Sequence, residues 1–417
     1  MKKLDIRFTR SPGDSMPVGT LAEDRGRVYF EYAADFLATG LNLSPFRLPF
    51  EPGLFEHRDR EFGPLPGVFD DSLPDGWGLL LMDRHFRSLG RNLAEISPLD
   101  RLAWLSARTM GALTYNPPAS RDDSDASVFD LTRLARQSQE ILAGAAVDVL
   151  PQLLKAGGSP GGARPKVLVG FNPDTGDVIS GENDLPEGFE HWIVKFFAKD
   201  ADPDAGAMEY AYSLMARAAG IDMPPPRLFE TSEGDRFFGI KRFDRDGNRR
   251  YHVHTFGNLI HSNFRIPSAD YADLLKATSL LTRNHQDVLR AFRRMAFNVL
   301  AHNRDDHVKN FAFLLDDTTG STGSPQGGDW TLTPAYDLLF TPGPGGEHTM
   351  TVAGEGRNPG RSHMLKLAEQ ADVSKREADA IITEVQAAVA RWPEHAAEAR
   401  VSKGTAQQIA QSLPRLP

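Results

Sequence analysis

HNRDDHVKNFAFLL, residues 302–315, joins a cluster of polar and charged side chains to a short apolar run. The cluster comprises Asn303, Asp305, Asp306, His307, Lys309 and Asn310. Upstream, apolar residues from Val288 to Val299 recur at the i, i+3, i+4 spacing of one helix face, so the cluster follows a predicted helix. Polar groups beside a core helix cost free energy unless they hydrogen-bond to each other or to a ligand. The stretch is therefore either a solvated turn between a helix and a strand or a functional loop.

The cluster allows two kinds of chemistry. Asp305, with Asn310 five residues later, matches phosphoryl transfer, in which a carboxylate receives the proton of the attacking hydroxyl and an amide oxygen holds Mg²⁺. A metal site for hydrolysis is the other interpretation. Its ligands would be His302, Asp305, Asp306 and His307. The rest of the chain has to decide between the two.

Three further features favour phosphoryl transfer, because kinases need them in this order along the chain. The first is a glycine-rich turn whose backbone N–H groups can reach phosphate oxygens. It contains Gly157, Gly158, Gly161 and Gly162. The second is Lys195 at the end of the predicted strand HWIVK, and the third is Asp337 in LTPAYDLLF, after the polar cluster. A metallohydrolase has no use for the first two features.

Lys195 lies between apolar and aromatic residues, so its ammonium group is expected to have a charged partner. Glu209, on a helix predicted over about 205–219, is the candidate for an ion pair that would orient the amine toward phosphates. The alternative interpretations are a solvated position for Glu209 and a helix-capping role for Asp337 ahead of Leu338.

Composition limits the remaining choices. The 417 residues carry 47 Lys and Arg against 56 Asp and Glu, a net charge of −9, which argues against a surface that tracks nucleic acid or anionic lipid. The chain has no cysteine, so disulfides, thiolate nucleophiles and Cys-ligated metals are excluded and any metal should be a hard one. We find no apolar signal segment and no stretch long enough to span a membrane, so we expect a cytoplasmic protein.

The chain divides into four segments by pattern. Residues 1–116 are predicted to be a strand-rich extension, with strands in KLDIRF, GRVYFEYA and LNLSPFRLPF before the helix GWGLLLMDRHFRSL, for which Asp75 and Gly76 are cap candidates. Residues 117–128 are a predicted linker. Residues 129–245 begin with helical periodicity to about 155, followed by the predicted antiparallel strands KVLVGF, HWIVKFF and RFFGIKRF. Residues 246–417 are mainly helical, with a predicted capping box at Ser374 and Glu377.

With these residues identified, the chain resembles the HipA family of bacterial serine/threonine kinases, the toxins of HipA/HipB toxin–antitoxin systems. The resemblance runs in consistent order from about Phe30 to Leu339. The combination of D-x-H-x-K-N with a later Y-D is specific to that family. The segments that carry it are FDDSLPDGWG, SPGGARPK, HWIVKF, ARAAGIDMPPPRLFE, FFGIKRFDR, FNVLAHNRDDHVKNFAFLL and LTPAYDLL.

The resemblance implies a role for each matching residue. Asp305 matches the catalytic Asp, Asn310 and Asp337 match the metal ligands, and Lys195 matches the strand Lys that contacts ATP and supports catalysis. Residues 159–166 match the phosphate loop, in which Ser159 matches a regulatory autophosphorylation site. The cofactor-binding residues implied in this way are Ser159, Gly161, Gly162, Ala163, Arg164, Lys166, Lys195, Lys241, Phe243, His307 and Lys309, with Lys241 and Phe243 at the adenine hinge. Arg164 stands where the best-studied toxins have Gln.

We therefore expect an α+β, two-lobed, protein-kinase-like fold, with a strand-rich N-lobe that carries the N-terminal extension (129–245 and 1–116) and a helical C-lobe (246–417). The expected activity is ATP- and Mg²⁺-dependent phosphorylation of Ser or Thr in a translation-related protein such as an aminoacyl-tRNA synthetase. The expected partners are that substrate and a HipB-like antitoxin, through which alone DNA would be contacted, and no membrane. The alternatives are a small-molecule kinase of this fold and a catalytically inactive HipA-like binding protein that acts with an antitoxin.

Overall fold

The structure is a computed structural model that describes residues 1–119, 129–144, 149, 151–158, 161–197, 203–318 and 328–414. The chain folds into two compact units. Unit 1 comprises Met1–Ala201, Phe229–His254 and Leu315–Asp329, and unit 2 comprises Asp202–Leu228, Thr255–Leu314 and Trp330–Pro417. The segment limits that the sequence predicts, 116/117, 128/129 and 245/246, stay predictions, and residues 120–128 of the predicted linker lie outside the described residues.

The strands of the described residues are numbered here in chain order. They are β1 (Lys2–Ser11), β2 (Asp14–Asp24), β3 (Arg27–Tyr32), β4 (Leu54–His57), β5 (Leu113–Asn116), β6 (Lys166–Phe171), β7 (Val178–Ser180), β8 (Glu190–Lys195), β9 (Pro226–Glu230), β10 (Arg236–Lys241), β11 (Arg245–Asp246), β12 (Arg249–Arg250), β13 (His252–Thr255), β14 (Ala312–Asp316) and β15 (Asp329–Leu332).

The α-helices are numbered in the same way. They are α1 (Ala34–Ala38), α2 (Gly67–Asp70), α3 (Gly76–Ser88), α4 (Pro98–Leu105), α5 (Leu131–Leu142), α6 (Pro151–Gly157), α7 (Ala205–Ala218), α8 (Phe256–Ile260), α9 (Tyr271–Thr282), α10 (His285–Leu300), α11 (Arg361–Gln370), α12 (Lys375–Ala390), α13 (Trp392–Glu398) and α14 (Lys403–Ser412). Among the described residues, no helix combines the length and the apolar character needed to span a lipid bilayer.

The first sheet of unit 1 has the order β4-β3-β2-β1-β5. In β1, Leu4, Ile6 and Phe8 are buried and alternate with more exposed residues, which is the period of a half-buried strand. Strands predicted in KLDIRF and GRVYFEYA are confirmed as β1 and β3. The strand predicted in LNLSPFRLPF is wrong, because residues 41–50 contain no strand. Pro45 and Pro49 have no N–H to donate to a neighbouring strand, which explains the difference.

The second sheet of unit 1 has the order β7-β6-β8-β10-β9. The pairs β6–β8 and β8–β10 are antiparallel, as predicted. Trp192 and Phe171 pack edge to face beneath it, with ring centroids 5.7 Å apart. The helix predicted over 129–155 is instead two helices, α5 and α6. The sheet and these helices form one core, which holds β6 and β8 rigidly in register.

Unit 2 is built mainly from helices. The apolar face predicted on α10 is confirmed, because Val288, Phe292 and Met295 are all buried, and α10 packs against α9 and α12. The predicted capping box at the start of α12 is also present, with Ser374 and Glu377 satisfying each other's backbone N–H groups. α10 ends at Leu300, just before the polar stretch 302–310.

Candidate active site

Two buried lysines face each other on neighbouring strands of unit 1. Lys166 on β6 pairs directly with Lys195 on β8, so both side chains lie on the same face of the sheet. Lys166 and Lys195 are only 7% and 6% exposed. The Lys195 ammonium nitrogen lies 5.7 Å from the centre of the Phe238 ring. Two ammonium groups held on one face with little water repel each other, so the pair favours an anion nearby.

The glycine-rich loop leads directly into Lys166. Gly162 has a φ of +99°, a conformation that favours glycine, and its N–H donates to the Asp75 carboxylate. The Gly162 carbonyl accepts from the N–H of Trp77 at 3.0 Å, and the Trp77 indole donates to the Lys166 carbonyl at 3.2 Å. A β-carbon built at Gly76 would lie 2.6 Å from the Gly162 carbonyl oxygen. The loop is therefore clamped by residues 75–77.

Asp75, a cap candidate for α3 in the sequence, has a different role in the structure. It occupies the N-cap position, but its side chain makes no capping hydrogen bond and binds the glycine-rich loop instead. The Lys166 ammonium donates to the Gly161 carbonyl at 2.5 Å. A loop amide thus already holds a carboxylate oxygen, with a lysine beside it, which is the local chemistry of an anion site.

The earlier two glycines of the turn serve packing. A β-carbon at Gly157 would lie 2.8 Å from Leu81, and one at Gly158 would lie 2.8 Å from the Trp104 ring. The sequence pattern alone could not distinguish these close approaches from phosphate contacts. Ser159, the predicted autophosphorylation site, lies outside the described residues, whereas Gly161, Ala163 and Arg164 are described and at least partly exposed.

The predicted hinge residues, Lys241 and Phe243, are adjacent in sequence to the residues of a buried ionic network. The Lys241 ammonium donates to Glu190 at 2.5 Å. Arg242 and Arg245 both donate to Asp244 at 2.7 Å, and the three side chains are almost wholly buried. Burial alone would raise the pKa of Asp244, but the two guanidinium groups outweigh it and hold that pKa well below its ordinary value. The network stabilises the backbone on both sides of Phe243.

In unit 2, the stretch 302–310 forms a loop after α10 that is irregular up to residue 307 and ends in a short 3-10 helix, Val308–Asn310. The N–H groups of Arg304 and Asp305 both donate to the Thr341 hydroxyl oxygen at 3.0 Å. The Asn310 amide donates to the Asp305 carbonyl at 2.7 Å. Asp305 itself is exposed. The loop therefore presents the Asp305 side chain outward while its backbone is bound on two sides.

Asp306, next to Asp305, has the opposite environment. It is wholly buried, and its carboxylate accepts from the Tyr271 hydroxyl at 2.7 Å and the Thr349 N–H at 2.8 Å. His302 is likewise engaged, with Nδ1 3.0 Å from the Ser412 carbonyl. The described residues contain no group of three or more His, Asp or Glu side chains arranged to hold a metal ion. Asp306 and His302 thus have different structural partners, and the described residues give no support for the hydrolase site considered above.

Asp337 has a φ of +56°, and it is not followed by a helix, so the capping interpretation is wrong. Aspartate adopts this left-handed conformation more readily than most residues, because its short polar side chain can hydrogen-bond locally. The neighbouring Tyr336 hydroxyl donates to the Lys309 carbonyl at 2.7 Å. This bond ties the segment of Asp337 to the loop that carries Asp305 and Asn310.

His307 and Lys309 share one aromatic neighbour. The Phe264 ring centre lies 5.4 Å from the His307 ring and 4.9 Å from the Lys309 ammonium nitrogen. Such contacts restrict the positions that both side chains can adopt. They stay candidates for cofactor binding.

The donor set of unit 2 suits a hard cation. Asn310 and Asp337 offer oxygen ligands, the type that Mg²⁺ prefers, and the incomplete set leaves positions for phosphate oxygens and water. Glu209, the predicted partner of Lys195, is buried on α7 in unit 2. Its ion pair with Lys195 stays a prediction.

The candidate residues thus form two sets. The glycine-rich loop, Lys166, Lys195 and the hinge belong to unit 1, and the loop 302–310 with Asp337 belongs to unit 2. The sequence did not predict that Asp306 anchors the loop 302–310 or that Asp75 binds the glycine-rich loop. Burial of one of two adjacent aspartates leaves no local signal, although Asp75 lies in the segment FDDSLPDGWG that carries the family resemblance.

The fold is a protein-kinase-like α+β fold of strand-rich and helical units, and family models identify it further. The HipA-like C-terminal domain matches residues 158–392, and the HipA N-terminal domain matches residues 13–116. The C-terminal model covers more than half of the chain. This chain belongs to the HipA family.

Two relatives illustrate the similarity. The protein Y4dM of Sinorhizobium fredii is 27% identical over 163 residues, a match that spans 36% of this chain and 37% of Y4dM. The toxin–antitoxin complex of HipA, HipB and operator DNA from Shewanella oneidensis MR-1 contains a chain with a TM-score of 0.70. That chain is 16% identical, and the similarity covers 98% of this chain and 94% of the other. The likeness confirms the predicted fold class.

Proposed function

We propose that this chain is an ATP- and Mg²⁺-dependent kinase that transfers a phosphoryl group to a Ser or Thr hydroxyl of a protein. The observation that carries the proposal is the pair of buried lysines, Lys166 and Lys195, directly opposite each other beside a glycine-rich loop. A nucleoside triphosphate carries negative charge that suits two ammonium groups on one sheet face, and the loop supplies amides for its oxygens.

In unit 1, backbone N–H groups of Gly161, Ala163 and Arg164 are the proposed phosphate donors, and Lys166 and Lys195 supply positive charge. Fixed donors of this kind stabilise charge that develops during transfer, because they need no reorganisation. Lys241 and Phe243 are the proposed hinge residues for adenine. The buried Asp244 network supports this proposal, since it restrains the backbone on which such contacts depend.

In unit 2, Asp305 is proposed to accept or orient the proton of the substrate hydroxyl. Its exposure and its anchored backbone support this role, because a general base has to reach a bound substrate in a defined position. Asn310 and Asp337 are the proposed metal ligands, and His307 and Lys309 would contact the cofactor. Bound Mg²⁺ would neutralise charge on the phosphates.

The finer assignments rest on family membership. The proposed substrate is a translation-related protein such as an aminoacyl-tRNA synthetase, and the proposed partner is a HipB-like antitoxin. The Shewanella HipA chain, which shares this fold, was solved with HipB and operator DNA. The net charge of −9 supports contact with DNA only through such a partner. Autophosphorylation of Ser159 is part of the same proposal.

Two substitutions compared in one assay test the proposed function. Purified protein would be incubated with labelled ATP, Mg²⁺ and a cell lysate, and nucleotide affinity would be measured separately. Asp305→Asn should lower transfer by about 100-fold or more and leave ATP binding intact, because it removes only the proton acceptor. Lys195→Met should weaken both ATP binding and transfer, because it removes a charge beside the phosphates.

The controls are Lys3→Met, at an exposed lysine of β1, and Asp372→Asn, at an exposed aspartate outside the site. Both should behave like the unsubstituted chain. Label that enters metabolites but no protein would indicate a small-molecule kinase. Transfer by Asp305→Asn at the normal rate would contradict the assignment of the catalytic loop.

A further inference from the structure

Asp306 has no part in the chemistry proposed above, yet four donors converge on its buried carboxylate. They are the Tyr271 hydroxyl at 2.7 Å, the Thr349 N–H at 2.8 Å, His348 Nδ1 at 2.8 Å and the more distant Met350 N–H at 3.5 Å. An ionised carboxylate can only accept hydrogen bonds, so each partner has to donate, and His348 carries a proton on Nδ1. Asp306 is therefore a fixed acceptor inside unit 2.

A chain of hydrogen bonds leads from this acceptor back toward the loop. The Tyr271 hydroxyl gives its only proton to Asp306, so it accepts from Asn298 Nδ2, 2.9 Å away. Asn298 Oδ1 then accepts from Asn303 Nδ2 at 3.0 Å. Asn303 Oδ1 in turn accepts from the Thr341 hydroxyl at 3.3 Å. Each hydrogen bond therefore decides whether the next group in the series donates or accepts.

Thr341 closes the ring. Because its hydroxyl proton goes to Asn303, its oxygen lone pairs are left for the N–H groups of Arg304 and Asp305, each 3.0 Å away. In each of these hydrogen bonds the donor lies on the side away from Asp306 and the acceptor on the side toward it. Asp306 fixes this direction, because its carboxylate is the end of the series and accepts without donating. Aligned hydrogen bonds of this kind polarise and strengthen one another.

Burial makes the ring costly to break. Tyr271, Asn298, Asn303 and Asp306 are each at most 2% exposed. Burial, and then the charge of Asp306, raise the pKa of Tyr271 well above its ordinary value, so the phenol keeps its proton. A buried donor or acceptor that loses its partner cannot form a replacement hydrogen bond with water. The side chains of the ring therefore keep the hydrogen-bond arrangement described above.

We infer that Asp306 is the positioning residue of the catalytic loop, acting through Tyr271, Asn298, Asn303 and Thr341 on the backbone of Asp305. The inference rests on the proposed function, because it assigns Asp305 the proton of the substrate hydroxyl. Asp306 touches no substrate. It holds the Asp305 backbone at the place from which the side chain can reach the hydroxyl.

Thr341 offers the sharpest test, because it can be changed without altering its shape. Thr341→Val keeps the volume but leaves two loop N–H groups without an acceptor, so kcat should fall about 10- to 100-fold, as for a displaced catalytic group. KM for ATP should stay within about twofold, since Thr341 binds Arg304 and Asp305 and none of the proposed cofactor contacts, either in unit 1 or at His307 and Lys309. Thr341→Ser keeps the hydroxyl and should restore kcat to within about threefold.

Tyr271→Phe gives a second, independent break in the ring, since it leaves Asp306 its three other donors. It should lower kcat in the same way, with the dissociation constant for ATP unchanged. The inference is overturned if both variants keep normal kcat, if Thr341→Ser is as impaired as Thr341→Val, or if kcat and KM change together. Asp305→Asn separates the two proposals: if it retains transfer, the proposed function fails, and if only the ring variants retain transfer, the positioning role fails.

Discussion

Each of the two units contains one candidate functional loop, and the two loops are anchored in opposite ways. The glycine-rich loop of unit 1 is held from outside by residues 75–77, and Asp75 lies 87 positions before its partner Gly162. The proposed catalytic loop of unit 2 is held from within by Asp306, the residue next to Asp305, together with side chains of the same unit.

The difference follows from what each loop offers a ligand. A loop that binds through backbone N–H groups is rich in glycine and has few side chains with which to anchor itself, so the anchor has to come from elsewhere. A loop that presents a side chain can use the neighbouring residue, because the extended backbone turns successive side chains to opposite sides. Disturbing the first anchor should therefore change ATP binding, and disturbing the second should change turnover.

The largest effect should come from Asp337, the proposed metal ligand of unit 2. Asp337→Asn keeps the side-chain shape and tolerates the positive φ, but removes the negative charge that would hold Mg²⁺. We expect Mg²⁺-dependent ATP affinity to fall about 10- to 100-fold, the range seen when groups around a metal are changed. Titration of ATP with and without Mg²⁺ measures this effect.

Asp372 is a matched control, because it is exposed and also has a φ of +56°. Asp372→Asn therefore repeats the same chemical change in the same backbone conformation. Equal effects of the two substitutions, or an Asp337→Asn effect that persists without Mg²⁺, would contradict the metal role of Asp337.

An intermediate effect should come from the clamp of unit 1. Gly76→Ala places a β-carbon 2.6 Å from the Gly162 carbonyl oxygen and 2.7 Å from the Ala163 Cα, so the glycine-rich loop has to shift. We expect KM for ATP to rise about 3- to 10-fold while kcat changes little, because only the phosphate donors move. Steady-state kinetics with varied ATP separates the two parameters.

Gly90→Ala is the control for backbone strain. Gly90 also has a positive φ, of +71°, but a β-carbon there meets nothing within 4 Å. Gly90→Ala should cost about 1 kcal/mol of unfolding free energy, from backbone strain alone, and leave KM unchanged. Gly76→Ala should cost more, because overlap with the loop adds to the same strain, and it alone should alter KM. A lower kcat at unchanged KM for Gly76→Ala would contradict the expectation that the anchor of the glycine-rich loop affects ATP binding rather than turnover.

The smallest effect near neutral pH should be on stability, through buried histidines of unit 1. Burial, and then His254, lower the pKa of His252 to about 4, and burial, with Arg242 and Arg245, lowers that of His191 to about 3. In the unfolded chain these pKa values return to about 6.5, so between pH 6.5 and 4 the unfolded state binds more protons. The free energy of unfolding should fall with acidification by up to about 1.4 kcal/mol per pH unit for each histidine.

Denaturant unfolding at pH 7 and pH 5 measures this dependence. His252→Gln can still donate to the Leu43 carbonyl, which His252 Nε2 contacts at 3.0 Å, but it does not titrate, so the pH dependence should become shallower. His285→Gln, at an exposed histidine, should leave the dependence unchanged. An identical slope in the unsubstituted chain and in His252→Gln would contradict the assignment.

Much of the local structure was predictable. The apolar face of α10, the antiparallel pairing of β6, β8 and β10, and the capping box of α12 each depend on residues a few positions apart, and all three are confirmed. The errors arose where a distant contact or a missing donor decides the outcome. Residues 41–50 have strand-like alternation but two prolines, and Asp75 has the position of a cap but a distant partner.

The sequence by itself determined the fold class and the chemistry available, because the D-x-H-x-K-N segment, the glycine-rich turn and the strand lysine are local patterns. Only the tertiary structure decided that Lys166 faces Lys195, that Asp306 is buried while Asp305 is exposed, and that Thr341 reaches the Asp305 N–H. Strand register and hydrogen bonds between distant segments depend on how the whole core packs, and that information is spread over residues far apart in the chain.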